Sequence, residues 1–300
     1  MGATTLFQPS PLQQSRHFLM SVYAKIIHNG RIIAREDATM PVYTPALVGA
    51  LGVYETILVK GGKYVALREH IERFYASAAG AALSLAVSPE TLKHWCYLVV
   101  AANRQDGLVR LLALDLGRAH ADIFLYQMSY RGFTQEDYDR GVPVILYHGE
   151  RALPPVKSFN TLVPGLARKA AAAAGVHDAL LVDRDGNITE GSNCNVFAVV
   201  DGVLTAAPEG VILEGTVMRR VMMLAQELDI PLARRALPLA ELEHWQEAFL
   251  TSTRRGVLPI NRVGDRPLAA PGPVTRRLLD AYRRWEAAAL AGEPAAVDAV

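Results

Sequence analysis

Residues 178–206 read DALLVDRDGNITEGSNCNVFAVVDGVLTA. Strand-length runs at 179–182, 187–190, 195–200 and 203–206 alternate with breaks of turn chemistry. Asp183-Arg184-Asp185-Gly186 and Asp201-Gly202 bring residues that bond their own backbone or accept a positive φ. The spacing predicts four short strands joined by tight turns. Downstream, 216–228 and 274–290 have helical spacing, and 248–258 reads as strand, loop, strand. Upstream, 142–147 is strand-like, and the alanine-rich stretch 160–174 reads as a helix stopped by Gly175.

The first half has the same mixture. Residues 23–34 alternate apolar and polar around Asn29-Gly30, a hairpin signal. GVYETILV and KYVAL flank Lys60-Gly61-Gly62 as a second hairpin. Residues 68–83 set Ile71, Phe74, Tyr75, Ala78 and Ala82 on one helical face. Ser88-Pro89-Glu90 opens another helix, to about Asn103, with serine as cap and proline in the first turn. Strands at 108–116 and 123–127 follow. Residues 128–140, polar and aromatic, read as an interdomain linker. The result is an α+β protein in two unequal domains, 21–127 and 141–290, with a loose extension at 1–20 and a fraying tail at 291–300.

Composition narrows the function. Of 300 residues 51% are hydrophobic and 20% charged, which supports a real core and excludes wholesale disorder. A net charge of +1 leaves no electrostatic footprint for nucleic acid or a membrane surface. No apolar run is long enough to span a bilayer, and the first twenty residues lack the pattern of a secretory signal, so a cytoplasmic location is expected. Cys96 and Cys194 cannot build a disulfide framework and read as reduced core thiols; without CxxC or HxxxH no metal site is expected.

Walker, GxSxG, HExxH and GxGxxG patterns are all missing. What remains are scattered polar residues. Lys157 stands after Pro154-Pro155-Val156, where a surface charge would fit as well as a site residue. Glu190 ends a strand before Gly191-Ser192-Asn193, a run that also suits a solvated turn. Thr251-Ser252-Thr253 follows the strand Ala248-Phe249-Leu250, where hydroxyls and N–H groups can hold a phosphate or simply turn the chain.

Taken together, these pieces resemble the fold-type IV pyridoxal-phosphate enzymes, the class IV aminotransferases. The matching segments, in family order, are GVYE at 52–55, HxxR at 70–73, VKSFN around Lys157, DALLVDRDGNITEGSNCNVFAV from Asp178, LEGTVMRR from Leu213 and FLTSTRRGVLPI from Phe249. They span about residues 22 to 288. The local likeness is greatest to D-amino-acid transaminases, with branched-chain enzymes also in the family.

The resemblance implies a two-domain fold with pyridoxal 5'-phosphate between the domains, a homodimer, and a ping-pong exchange of an amino group between a small amino donor and a 2-oxo acid. It assigns Lys157 to the internal aldimine and to proton transfer at Cα. Glu190 pairs with the pyridine nitrogen. Arg73, Thr253 and the turn at Thr216 and Val217 hold the phosphate. Two departures stand out. The family threonine of that turn falls at Val217, so its hydroxyl is lost or supplied by Thr216. The tyrosine that branched-chain enzymes carry five places after the lysine is Leu162 here. For the substrate, Tyr54 matches a pocket aromatic, and Arg118-Ala119-His120 copies a triplet with which D-amino-acid transaminases bind the carboxylate. Arg254 and Arg255 stand where branched-chain enzymes have small residues, placed to bind a second carboxylate, narrow the pocket or pair outward. An aminodeoxychorismate-lyase type of elimination, an R-selective amine transaminase and a cofactor-binding scaffold without turnover are the other readings.

Overall fold

The computed structural model describes residues 21–300; the extension expected at 1–20 lies outside the described residues. The strands β1 (Val22–His28) and β2 (Arg31–Ala34) meet at Asn29-Gly30, with φ of 47° and 83°, as the Asn-Gly pair predicts. After a short helix α1 (Pro45–Val48) come β3 (Gly52–Lys60) and β4 (Lys63–Tyr64). Helices α2 (Leu67–Gly80) and α3 (Pro89–Asn103) precede β5 (Gly107–Leu114) and β6 (Asp122–Met128). The six strands form one antiparallel sheet in the order β2-β1-β6-β5-β3-β4.

Alternation along the strands sorts the side chains of this sheet. Val53, Ile57, Val109, Leu111 and Leu125 face Ile71 and Phe74 of α2 and Leu92 and Cys96 of α3. The expected face of α2 is there, but the helix ends at Gly80 and Ala82 lies beyond it with φ of 55°. The Ser88 hydroxyl accepts from the Thr91 N–H at 3.2 Å, the expected cap of α3.

The linker expected at 128–140 is not irregular throughout. Met128 belongs to β6, and α4 (Gln135–Arg140) opens on a capping box made by Thr134 and Asp137. The fraying tail is a second correction. Helix α7, described below, runs to Gly292, and Ala296 is 1% exposed in the first core, donating its N–H to the Gly62 carbonyl at 2.9 Å. A composition rich in alanine reads as loose, yet these small side chains fit closely against α3.

The second sheet holds β7 (Val142–His148), β8 (Asp178–Val182), β9 (Ile188–Gly191), β10 (Asn195–Val200), β11 (Val203–Ala206), β12 (Leu232–Arg234), β13 (Trp245–Ser252), β14 (Gly256–Val263) and β15 (Arg266–Pro267). Its order is β12-β11-β10-β13-β14-β7-β8-β9, with β15 on β14. β9 also pairs β10, Glu190 opposite Asn195, so six strands close on themselves. Along β10, Val196, Ala198 and Val200 point into the closed interior, whereas Phe197 and Val199 meet α6 (Thr216–Glu227) and α7 (Pro273–Gly292). Both faces are buried, which is why 195–200 is apolar without alternation. On β8, Leu180 and Val182 face the interior, and Ala179 and Leu181 pack on α5 (Leu162–Ala173). Both cysteines are buried and free, as expected.

Candidate active site

A cavity of about 470 Å³ opens where the two sheets meet. Lys157 reaches it from the segment between β7 and α5. That segment is tied to the first sheet through its backbone. Tyr54 N–H donates to Lys157 O at 2.9 Å, Phe159 N–H to Gly52 O at 3.0 Å, and Lys157 N–H to Ser77 Oγ at 3.2 Å. Gly52 is required for this approach: a Cβ there would lie 2.6 Å from the Phe159 ring. The Lys157 amine lies 4.8 Å from the centre of the Tyr54 ring, with no carboxylate within 4 Å among the described residues. Burial pushes its pKa below the ordinary lysine value; Tyr54 opposes the fall and Arg73 adds to it.

Glu190, 4% exposed, is held by β9 against β10. Burial pushes its carboxyl up to about 7, against the opposing pull of Arg151, the Leu213 N–H and Lys157. Arg151 Nε is 3.6 Å from Glu190 Oε1, and its Nη2 donates to the Val156 carbonyl at 3.1 Å.

Arg73 and His70 share one face of α2, three residues apart. Arg73 grips the buried Glu55 with two bonds of 2.7 and 2.8 Å, and His70 Nδ1 lies 3.1 Å from the same carboxylate. Burial raises the Glu55 carboxyl, but Arg73 and His70 overcome it and hold the group well below the usual range. Next to Arg73, Gly215 caps α6, whose first turn presents free backbone N–H groups to the cavity. A Cβ on Gly215 would fall 2.2 Å from Asn195 Oδ1. The Thr216 hydroxyl lies 3.3 Å from His70 Nε2, while the Val217 side chain turns into the core. Thr253 enters from the turn after β13.

Arg254 and Arg255 part company in that turn. Arg254 lines the cavity over the Tyr130 ring. Arg255 points the other way, donating to Asp178 and Asn193 at 2.6 Å each. The outward pairing considered for it is therefore replaced by a buried ion pair that stitches the 252–256 turn to β8. Arg118 and His120 are not brought to the cavity within one chain. Both are exposed; Arg118 pairs with Asp122 at 2.9 Å and His120 meets the Ser84 hydroxyl at 2.9 Å. Their turn follows Leu114, the last residue of β5, which pairs with Gly52, and the likeness of three residues carried no information about which way their side chains face.

Cavity residues absent from the motif reading include Arg110, Arg151 and Arg168. Only Arg110 left a signal, a charge inside the apolar run LVRLLAL. Four buried polar atoms on the cavity wall have no hydrogen-bond partner: Arg151 Nε, Ser192 Oγ, Thr251 Oγ1 and Arg254 Nε. Such orphaned groups mark a site built for a polar ligand. An amine, a buried carboxylate and a cup of guanidinium, helix amides and threonine hydroxyl together match the aldehyde, ring nitrogen and phosphate of pyridoxal phosphate. The residues present fit that cofactor.

The comparisons agree. The chain is 29% identical to a D-alanine aminotransferase from Bacillus licheniformis, covering 86% of this chain and 96% of that protein. It is equally 29% identical to a putative branched-chain-amino-acid aminotransferase from Methanocaldococcus jannaschii, over 86% and 95% of the two. The branched-chain aminotransferase of Thermoproteus uzoniensis, solved with norvaline, superposes with a TM-score of 0.82 at 27% identity, covering 89% of this chain and 96% of that one. Another structural neighbour of the same name, also 27% identical, was solved with N-(5'-phosphopyridoxyl)-L-glutamate. The family model for amino-transferase class IV matches residues 52–263, and this chain is a member of that family of pyridoxal-phosphate-dependent transaminases.

Proposed function

We propose that the protein moves an amino group between a small amino acid and a 2-oxo acid in two half-reactions, with Lys157 as the cofactor's covalent anchor and as the base at Cα. The observation that carries this reading is the shared cavity: a deprotonation-prone amine and a buried carboxylate face the same space beside an anion cup. When bound, the cofactor supplies the aldehyde that takes up the amino group and a ring that accepts the electron pair freed at Cα. Arg73, the first-turn amides at Thr216 and Val217 and the Thr253 hydroxyl bind the phosphate. Glu190 offers its charge to the ring nitrogen, with Arg151 favouring the carboxylate form. Lys157 Nζ, unencumbered by an ion pair, takes a proton and returns it. Tyr54 and Arg254 line the substrate side. The relatives bear both D-alanine and branched-chain names, and the donor proposed here is an α-amino acid of either kind.

The two sheets are the proposed small and large domains, 21–127 and 141–290. A homodimer in the cytoplasm is the proposed form. Its support is an apolar cleft of about 340 Å³ on the open face of the first sheet, beside the exposed Met40, Val42, Tyr43, Leu47 and Val48. No helix among the described residues is long and apolar enough to cross a membrane. The decisive experiment is borohydride reduction of the cofactor-loaded protein followed by peptide mapping. The pyridoxyl label belongs on Lys157; a label elsewhere, or none, refutes the reading.

A further inference from the structure

Asp178 and Arg255 form a buried ion pair, 1% and 5% exposed, that lines no part of the cavity. The pair stands behind the cavity wall and touches the residues that make it. Asp178 Oδ1 accepts from the Ala179 N–H at 2.8 Å and the Ser192 N–H at 3.1 Å. Its Oδ2 accepts from Arg255 Nη2 at 2.6 Å and the Cys194 thiol at 3.4 Å. Every lone-pair site of the carboxylate thus has a donor. Arg255 Nη1 reaches further, donating to Asn193 Oδ1 at 2.6 Å and Ser252 Oγ at 3.3 Å. Ser192, Asn193, Cys194 and Ser252 all line the cavity.

The two turns joined here differ in what else holds them. The 191–194 turn follows Glu190, whose strand β9 is laddered to β8 and β10. The 252–256 turn has less support. The ladder between β13 and β14 ends at Ser252 opposite Gly256, so Thr253 stands beyond it. Within the turn the Arg255 N–H bonds the Ser252 carbonyl at 3.0 Å, and the Tyr130 and Tyr138 hydroxyls donate to the carbonyls of Arg254 and Arg255. It is the Arg255 side chain that ties this turn to β8. Taking two charges out of water is costly, and apolar side chains of similar size often serve a fold equally well. What the pair adds is direction. A planar guanidinium anchored on two partners has a fixed orientation, and so has the short turn that carries it.

We infer that Arg255 and Asp178 are positioning residues for the cofactor phosphate: without touching it, they fix the 252–256 turn so that the Thr253 hydroxyl is held ready at the cavity. The inference rests on the transaminase reading and deepens it. Glu190 keeps its place through its strand, so loss of the pair falls on the phosphate end of the site.

The test is a double-mutant cycle read as binding. Pyridoxal phosphate is titrated against cofactor-free protein by equilibrium dialysis, beside pyridoxal, which has the same ring and aldehyde without the phosphate. The ratio of the two Kd values gives the preference for the phosphorylated form. Arg255→Gln and Thr253→Ala should each lower that preference about 10-fold, the worth of one charge-assisted hydrogen bond. The double variant should lower it by no more than about 10-fold, because Arg255 acts through Thr253. Arg255→Lys keeps a charge for Asp178 but cannot also reach Asn193. Its preference should lie between wild type and Arg255→Gln, and it carries the cycle should Arg255→Gln not fold. A merely structural role would weaken both ligands together and leave the preference standing, which refutes the proposal. So does a Thr253→Ala protein with undiminished preference, or a double variant whose loss is the product of the single losses. The borohydride test at Lys157 is separate: a label on Lys157 with an unchanged preference in the Arg255 variants sinks this inference alone.

Discussion

Glu190 exposes a conflict between stability and function that can be measured. Its carboxyl titrates at about 7 in the folded protein against an ordinary value of 4.5, chiefly through burial. A proton held more tightly in the fold favours the folded state at low pH. That contribution is whole below 4.5 and is lost as the pH rises through 7. At ~1.4 kcal/mol per tenfold change in acidity, the cofactor-free protein should lose roughly 2.5 kcal/mol between pH 5 and pH 8 from this group alone. Glu190→Gln removes the titration and keeps an oxygen for the Leu213 N–H. It also strips Arg151 of its carboxylate, a fixed penalty that shifts the variant's whole curve without tilting it. Urea unfolding of both proteins without cofactor, at pH 5 and pH 8, isolates the tilt. The stability difference between wild type and variant should change by about 2.5 kcal/mol between the two pH values, to the disadvantage of wild type at pH 8. Curves that move in parallel would refute the claim that burial of this carboxylate strains the empty site. On the role proposed for Glu190 beside the ring nitrogen, loading with cofactor should reverse the order.

Two further outcomes follow from the same site. Glu55→Gln leaves Arg73 buried without its carboxylate and should cost on the order of 3–5 kcal/mol in urea unfolding at neutral pH. Because the folded Glu55 carboxyl is held below its ordinary value, the wild-type advantage should be present at neutral pH and shrink as the solution is acidified below about 4.5. Gly52→Ala puts a methyl group 2.6 Å from the Phe159 ring and should displace the segment that carries Lys157. Turnover should drop on the order of 100-fold while the circular dichroism spectrum stays native, since misplacement by about 1 Å is enough to uncouple a reacting group.

The strands and helices were legible because their signals are local. Asn29-Gly30, Ser88 and Asp201-Gly202 each do in the fold what their chemistry requires within a few residues. The parts that were not legible depend on direction in space. Arg254 and Arg255 are adjacent in a turn, and nothing in the pair says that the first faces the cavity and the second faces Asp178. Arg168 sits in an alanine-rich helix whose composition suggests no site. The tail was read from composition as loose, yet Ala296 is buried in the first core and its N–H is bonded to the Gly62 carbonyl, a long-range contact that composition does not carry. Thr216 is an intermediate case. The motif left the hydroxyl either lost or supplied by Thr216; only the fold shows the Thr216 hydroxyl lying against His70.

The way Lys157 is held suits its amine to the base role proposed for it. An ion pair to Glu55 or Glu190 would orient the side chain and also keep it protonated. Instead the residue is placed through its main chain, by the Tyr54 and Ser77 contacts, and the carboxylates of the cavity are occupied by other cations. Glu55 is taken up by Arg73 and Glu190 faces Arg151, so the negative charge needed to stabilise an ammonium ion is already engaged. Burial lowers the proton affinity of Lys157 most, Arg73 and Arg151 add to the fall, and Tyr54 and Glu55 oppose it. Replacing either arginine by a neutral residue should therefore raise the proton affinity of the amine, with burial still holding it below the ordinary lysine value.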